Sequence, residues 1–121
     1  MKSPFVNDMF SLIWIAFKEL YPDKECTCYM TGSIRPSEDG TPVCGLAEFA
    51  DDGTIDVWVD VNIPATGVAE VLEHELAHVA VGVDAGHGDD WEKAFDMIHS
   101  RYEELAAELN EKLLKEGEAD A

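Results

Sequence analysis

His74-Glu75-Leu76-Ala77-His78 sets two imidazoles four residues apart, with a carboxylate directly after the first. On a helix the two histidines lie one turn above the other, about 5–6 Å apart at Cβ, so both rings can reach one ion at about 2.0–2.1 Å. Glu75 then projects beside the same face. From there it can take a proton from zinc-bound water and return it to a leaving amine, the general base and acid of zinc-dependent peptide hydrolysis. His87 follows between Gly86 and Gly88, where a reversal of the chain brings a third imidazole back to the ion. Three protein ligands and a fourth position left to water make a catalytic zinc site. A surface helix with two chance histidines would need no His87.

These residues have to be carried by definite elements. Val68, Val71, Leu72, Val79 and Ala80 surround the motif, so the predicted helix, Gly67 to about Val81 with Thr66 as N-cap, is apolar enough to be a core element. It ends in the Gly82 to Gly88 segment. Before it, Val43 to Phe49 and Thr54 to Val61 read as two strands joined by Ala50-Asp51-Asp52-Gly53, a β-hairpin. In the second strand Ile55, Val57, Val59 and Val61 alternate with Asp56, Trp58 and Asp60, which predicts an apolar face and an acidic face around one exposed indole. Ser3 before Pro4 predicts an N-cap, and Phe5, Met9, Leu12, Ile13, Ala16, Phe17 and Leu20 continue a helix that Tyr21-Pro22-Asp23 ends. Phe10, Trp14 and Ile15 suggest that it is covered on more than one face. Lys24 to Pro42 reads as loops with a short strand at Tyr29 to Ile34. Asp89 and Asp90 open a long last helix with Trp91, Phe95, Ile98, Tyr102, Leu105, Leu109 and Leu113 spaced by threes and fours. A short acidic tail, 117–121, follows.

At His74 to His78 and His87-Gly88-Asp89-Asp90-Trp91 the sequence resembles the SprT-like zinc metallopeptidases, through H-E-L-x-H on a helix and then H-G-x-x-W. The likeness spans residues 54 to about 100. It implies zinc ligands at His74, His78 and His87, Glu75 as catalytic acid/base, and Trp91 as a packing residue that fixes the His87 turn. It also implies that the strand Thr54 to Asp60 is an edge along which an extended substrate peptide aligns. Asp84 stands at the offset where metzincin-type peptidases place a third ligand. Those enzymes need a glycine where Val81 stands here, with Gly82 next, so His87 is favoured. Asp84 is then a solvated carboxylate at the helix end or a partner orienting an imidazole.

The chain has 121 residues, 26 acidic against 8 basic, for a net charge of −18. That surface repels phosphate, which opposes a nucleic-acid or anionic-lipid partner. The resemblance does not extend to the zinc ribbon and DNA-binding tail of larger SprT-like proteins, so it implies their fold and chemistry and not their role in repairing DNA–protein crosslinks. Cys26, Cys28 and Cys44 are an odd number with scattered spacing, read as buried thiols in a reducing, cytoplasmic compartment. The apolar run Met9 to Phe17 is too short to span a bilayer and lacks a cleavage site, so neither signal peptide nor membrane segment is expected. Glu70 and His99 read as solvated surface groups. Tyr29, Tyr102, Arg35 and Arg101 are chemically able to stabilise an oxyanion. The expectation is therefore one α+β domain over residues 1–121. It is a minimal zincin-like fold with an N-terminal helix, a small antiparallel sheet, the His-Glu helix and a long C-terminal helix, hydrolysing a protein or peptide substrate with zinc. The alternatives are a zinc-binding protein without catalysis and an acidic DNA mimic.

Overall fold

The structure, a computed structural model, describes residues 8–32 and 34–120, the last five as helix backbone only. Asp8 caps the first helix, α1 (Met9–Leu20), by accepting a hydrogen bond from the Phe10 N–H at 3.0 Å. The expected start at Ser3-Pro4, with Phe5, lies outside the described residues. Within them the helix begins at Met9, because Asp8 has the extended backbone of a cap, ψ 119°. Ile13, Ala16 and Phe17 are buried and Phe10 and Trp14 pack beside them, but Ile15 stays 45% exposed. Coverage is thus one broad face rather than the whole surface. At the far end the Tyr21 N–H closes on Phe17 O, and Lys18 Nζ donates to the Pro22 and Lys24 carbonyls.

Three strands follow, β1 (Thr27–Thr31), β2 (Gly45–Phe49) and β3 (Ile55–Asp60), in the order β1-β3-β2. The β2–β3 hairpin forms as expected, its turn closed by the Gly53 N–H on Ala50 O at 3.0 Å. The sheet is nevertheless mixed rather than antiparallel, because β1 pairs parallel to β3, from Thr27 opposite Asp56 to Thr31 opposite Asp60. For the same reason β3 is the central strand and not an edge. The pleat explains it: Val57 and Val59 point inward and are buried, while Trp58 points outward and needs cover of its own. Tyr29 of β1 supplies it, stacking on Trp58 with ring centroids 4.3 Å apart. The indole is therefore half-buried instead of exposed, and its Nε1 has no partner among the described residues.

The second helix, α2 (Ala65–Val81), begins two residues before the predicted start. Pro64 occupies the cap position, its carbonyl accepting from the Val68 N–H, so Thr66 lies inside the helix and is not its cap. A 3-10 turn, Val83–Ala85, leads to the last helix, α3 (Asp89–Asp120), whose first turn holds Asp89, Asp90 and Glu92, where the helix dipole favours negative charge. The helix takes in most of the segment expected as an acidic tail. The inner face of the sheet packs on α2 through β2 and β3, and α1 and α3 pack on each other and on α2. Val57, Val59, Leu72, Leu76, Ile13, Phe17 and Ile98 meet in one core. Among the described residues the architecture is α+β, with three α-helices and a small sheet. No helix among the described residues is long and apolar enough to cross a membrane.

One carboxylate is sealed into this core. Glu73 is 1% exposed, and His99 Nδ1 lies 2.7 Å from its Oε2 while His99 Nε2 lies 2.7 Å from Glu103 Oε1. His99 is therefore no lone surface histidine but the tie between α3 and a buried acid on α2. Burial raises the Glu73 pKa; burial alone would lower that of His99, but Glu73 and Glu103 outweigh it and raise it. Removing the histidine strands a buried acceptor. His99→Ala should lower the unfolding free energy in urea by about 1–3 kcal/mol. Glu103→Ala, which removes only an exposed carboxylate from His99, should change it by no more than about 1 kcal/mol, and equal losses would contradict this assignment.

Candidate metal centre

His74 and His78 stand one turn apart on α2, as their spacing requires. What brings His87 to them is the short path after the helix. Gly82 (φ 92°) and Gly86 (φ 58°) both take the left-handed backbone that side-chain-bearing residues avoid, and between them the 3-10 turn reverses the chain. The three Nε2 atoms then form a nearly equilateral triangle, 3.2 Å from His74 to His78, 3.0 Å from His78 to His87 and 3.2 Å from His87 to His74. Tetrahedral coordination at about 2.0–2.1 Å asks for ligand nitrogens about 3.3–3.4 Å apart, so the triangle is within a few tenths of an ångström of that demand. Hydrogen bonds explain it poorly, because three ring nitrogens facing one centre cannot each be donor and acceptor along good lines. The donor set fits a divalent metal that accepts imidazole, and the three residues lie close enough to bind one.

Burial lowers the pKa of His74 and of His78, and the neighbouring histidines lower both further, so each favours the neutral form that can ligate. Glu75 is 6% exposed, and burial pushes its carboxyl up to about 7. Its Oε1 lies 4.0 Å from His74 Nε2. A carboxyl poised there can both accept and return a proton near neutral pH.

Two neighbours hold this group in place. Trp91 Nε1 donates to the His74 carbonyl at 3.2 Å, and the indole ring lies against the rings of all three histidines, with centroids 4.7, 5.6 and 4.9 Å away. On the opposite side Gly45 of β2 lies flat against α2. A methyl group built on it would collide with Val71 Cγ1 and come within 3.1 Å of Glu75 Cγ and 3.3 Å of Glu75 Oε1. Gly45 escaped the sequence reading, although a glycine inside a strand is the available signal for such a close approach. It seats the edge strand β2 beside Glu75, and two clefts open there. One, of about 540 Å³, runs towards Glu70, Trp91 and Phe95; the other, of about 390 Å³, runs along Leu46, Ala47 and Phe49 towards His87.

The remaining candidates lie elsewhere. Asp84 sits in the 3-10 turn, exposed and outside the converging group. Tyr29 is on the outer face of the sheet with Trp58, and Arg35 lines a cavity on that same face. Arg101 is engaged with Glu19 and Glu104, and Tyr102 faces His99. None of the four lines either cleft at Glu75. Cys26 and Cys28 are in contact, Sγ to Sγ 4.0 Å, but Cys28 and Cys44 are exposed and Cys26 only half-buried, so the thiols are not core residues. Cys44 instead lines the larger cleft. Comparison with family models, curated proteins and solved structures returns no match to this chain.

The approach of β2 gives a direct test. Gly45→Ala must part the strand from Val71, whose branched side chain has little freedom on a helix, and should cost about 1–3 kcal/mol of stability. Gly67→Ala, where the added methyl would make ordinary contact with Ile63 alone among the described residues, Cδ1 at 3.5 Å and Cγ1 at 3.9 Å, should stabilise the helix by about 0.5–1 kcal/mol. Urea unfolding of both variants checks the contrast, and a neutral Gly45→Ala would contradict the close packing.

Proposed function

We propose that this chain is a zinc-dependent peptidase of the SprT-like, zincin kind, with His74, His78 and His87 as ligands and Glu75 as general base and acid. The observation that carries the reading is the triangle of imidazole nitrogens beside one buried carboxyl on the same helix. Zinc, when bound, supplies Lewis acidity that polarises a peptide carbonyl and makes water a usable nucleophile at neutral pH. The chain supplies everything else. Glu75 Oε takes the proton of the attacking water and delivers it to the departing amine. The wall of Trp91 keeps the imidazoles turned to one centre. The edge strand β2, in the role first expected of β3, offers unpaired backbone groups along which an extended peptide can lie. A purely structural zinc site would be closed by a fourth side chain. Here the described residues offer three ligands, and two clefts open beside them, which favours catalysis.

Purified protein should bind about one zinc per chain, and His74→Ala, His78→Ala or His87→Ala should each abolish tight binding. Asp84→Ala should leave it intact or weaken it by no more than about 10- to 100-fold, the range for a residue that only orients a ligand. Competition with a chelator at neutral pH distinguishes the four variants, and loss of zinc from Asp84→Ala alone would move the third ligand. Glu75→Gln should keep metal and fold while losing hydrolysis, because the amide cannot take the proton. A Glu75→Gln variant that cleaves as fast as wild type would overturn the mechanism.

A further inference from the structure

The two clefts beside Glu75 differ in character. The larger is bounded by Trp91 and Phe95, whose rings stack with centroids 5.5 Å apart, and by Val71 and Pro42, with Glu70 at its margin one turn before His74 on α2. The smaller is lined by Leu46, Ala47, Phe49 and Val83, and Glu75 is its only carboxylate. Among the described residues no lysine or arginine lines either cleft.

Resting on the peptidase reading, we propose that this site selects peptides with a lysine or arginine side chain on one side of the bond to be cut and an apolar residue on the other. A long basic side chain suits the larger cleft throughout its length. Its methylene stem lies along Val71 and the aromatic wall, as such stems do on apolar surface, and its cationic end reaches the Glu70 carboxylate. An acidic side chain there would set like charge beside Glu70. A short apolar one would leave the outer part of the cleft wet. The smaller cleft offers no carboxylate besides the proton carrier Glu75 and accepts an apolar side chain. The net charge of −18 draws cationic peptides towards the surface before they reach the cleft. Glu70 is exposed, so its pairing is screened by salt and tunes selection rather than dictating it.

The test is cleavage of a mixed peptide library by the zinc-loaded enzyme, with cut positions read by mass spectrometry, in wild type, Glu70→Gln and Glu70→Lys. Wild type should enrich lysine and arginine on one side of the cut and apolar residues on the other. Glu70→Gln should weaken the basic preference about two- to fivefold, in keeping with an exposed ion pair, and Glu70→Lys should turn it towards aspartate and glutamate. As a readout independent of turnover, zinc-loaded Glu75→Gln should bind a fluorescent lysine peptide more tightly than its glutamate counterpart, with the difference shrinking as salt rises. Cuts with no basic enrichment, or an enrichment unchanged in Glu70→Gln, would overturn the selectivity and leave the peptidase reading standing. Zinc-loaded wild type that cuts no peptide would overturn both.

Discussion

Three imidazole nitrogens held 3.0–3.2 Å apart face one centre, an arrangement that a shared cation stabilises better than hydrogen bonds among the rings. Much of the chain can be understood as sustaining that arrangement. The buried face of α2, with Leu72, Leu76 and Val79 packed under Val57 and Val59 of β3, fixes the helix that carries two of the rings. The glycines at 82 and 86 turn the third ring back. Trp91 then closes the group from the start of α3, bonded to the carbonyl of His74 itself. α3 is in turn tied to α2 by the Glu73–His99 contact on another side of the same helix. Displacing either helix would therefore disturb the histidine triangle and the core together.

The constellation was legible in the sequence because its determinants are local. The four-residue spacing of His74 and His78 survives any tertiary context once a helix forms, and the glycines around His87 announce a turn. The sheet was less legible because its order depends on partners far apart in the chain. β1, with the pattern Thr27-Cys28-Tyr29-Met30-Thr31, is mostly exposed and carries no alternation, so nothing in it declares which neighbour it joins or in which direction. The parallel pairing of β1 along β3, with Tyr29 stacked on Trp58, is what makes β3 central. His99 illustrates the same limit. A histidine next to Ile98 looks like a surface group until Glu73, far back in the sequence, proves to be buried against it. Gly45 likewise has meaning only when Val71 and Glu75 are placed opposite.

The charge of the chain acquires a chemical reading in this setting. Carboxylates crowd the surface, yet among the described residues only Glu75 and Glu70 border the clefts near the proposed centre, and they differ in environment. Glu75 is 6% exposed beneath β2, where burial raises its carboxyl to about 7 and suits it to moving protons. Glu70, one turn earlier and open to water, suits recognition instead. In the proposed reading α2 places a recognising acid, a ligand and a proton carrier within six residues, Glu70 to Glu75, with Gly45 of the edge strand packed against Val71 and Glu75.

The central claim, a zinc ion held by three imidazoles, is tested most directly by X-ray absorption at the zinc edge of the purified, metal-loaded protein. The account predicts a first shell of nitrogen and oxygen only, at about 2.0–2.1 Å, with the outer scattering of three imidazole rings that falls to two in His87→Ala. A sulfur shell at about 2.3 Å would place the metal on the cysteines and contradict it, as would a spectrum unchanged by loss of His87.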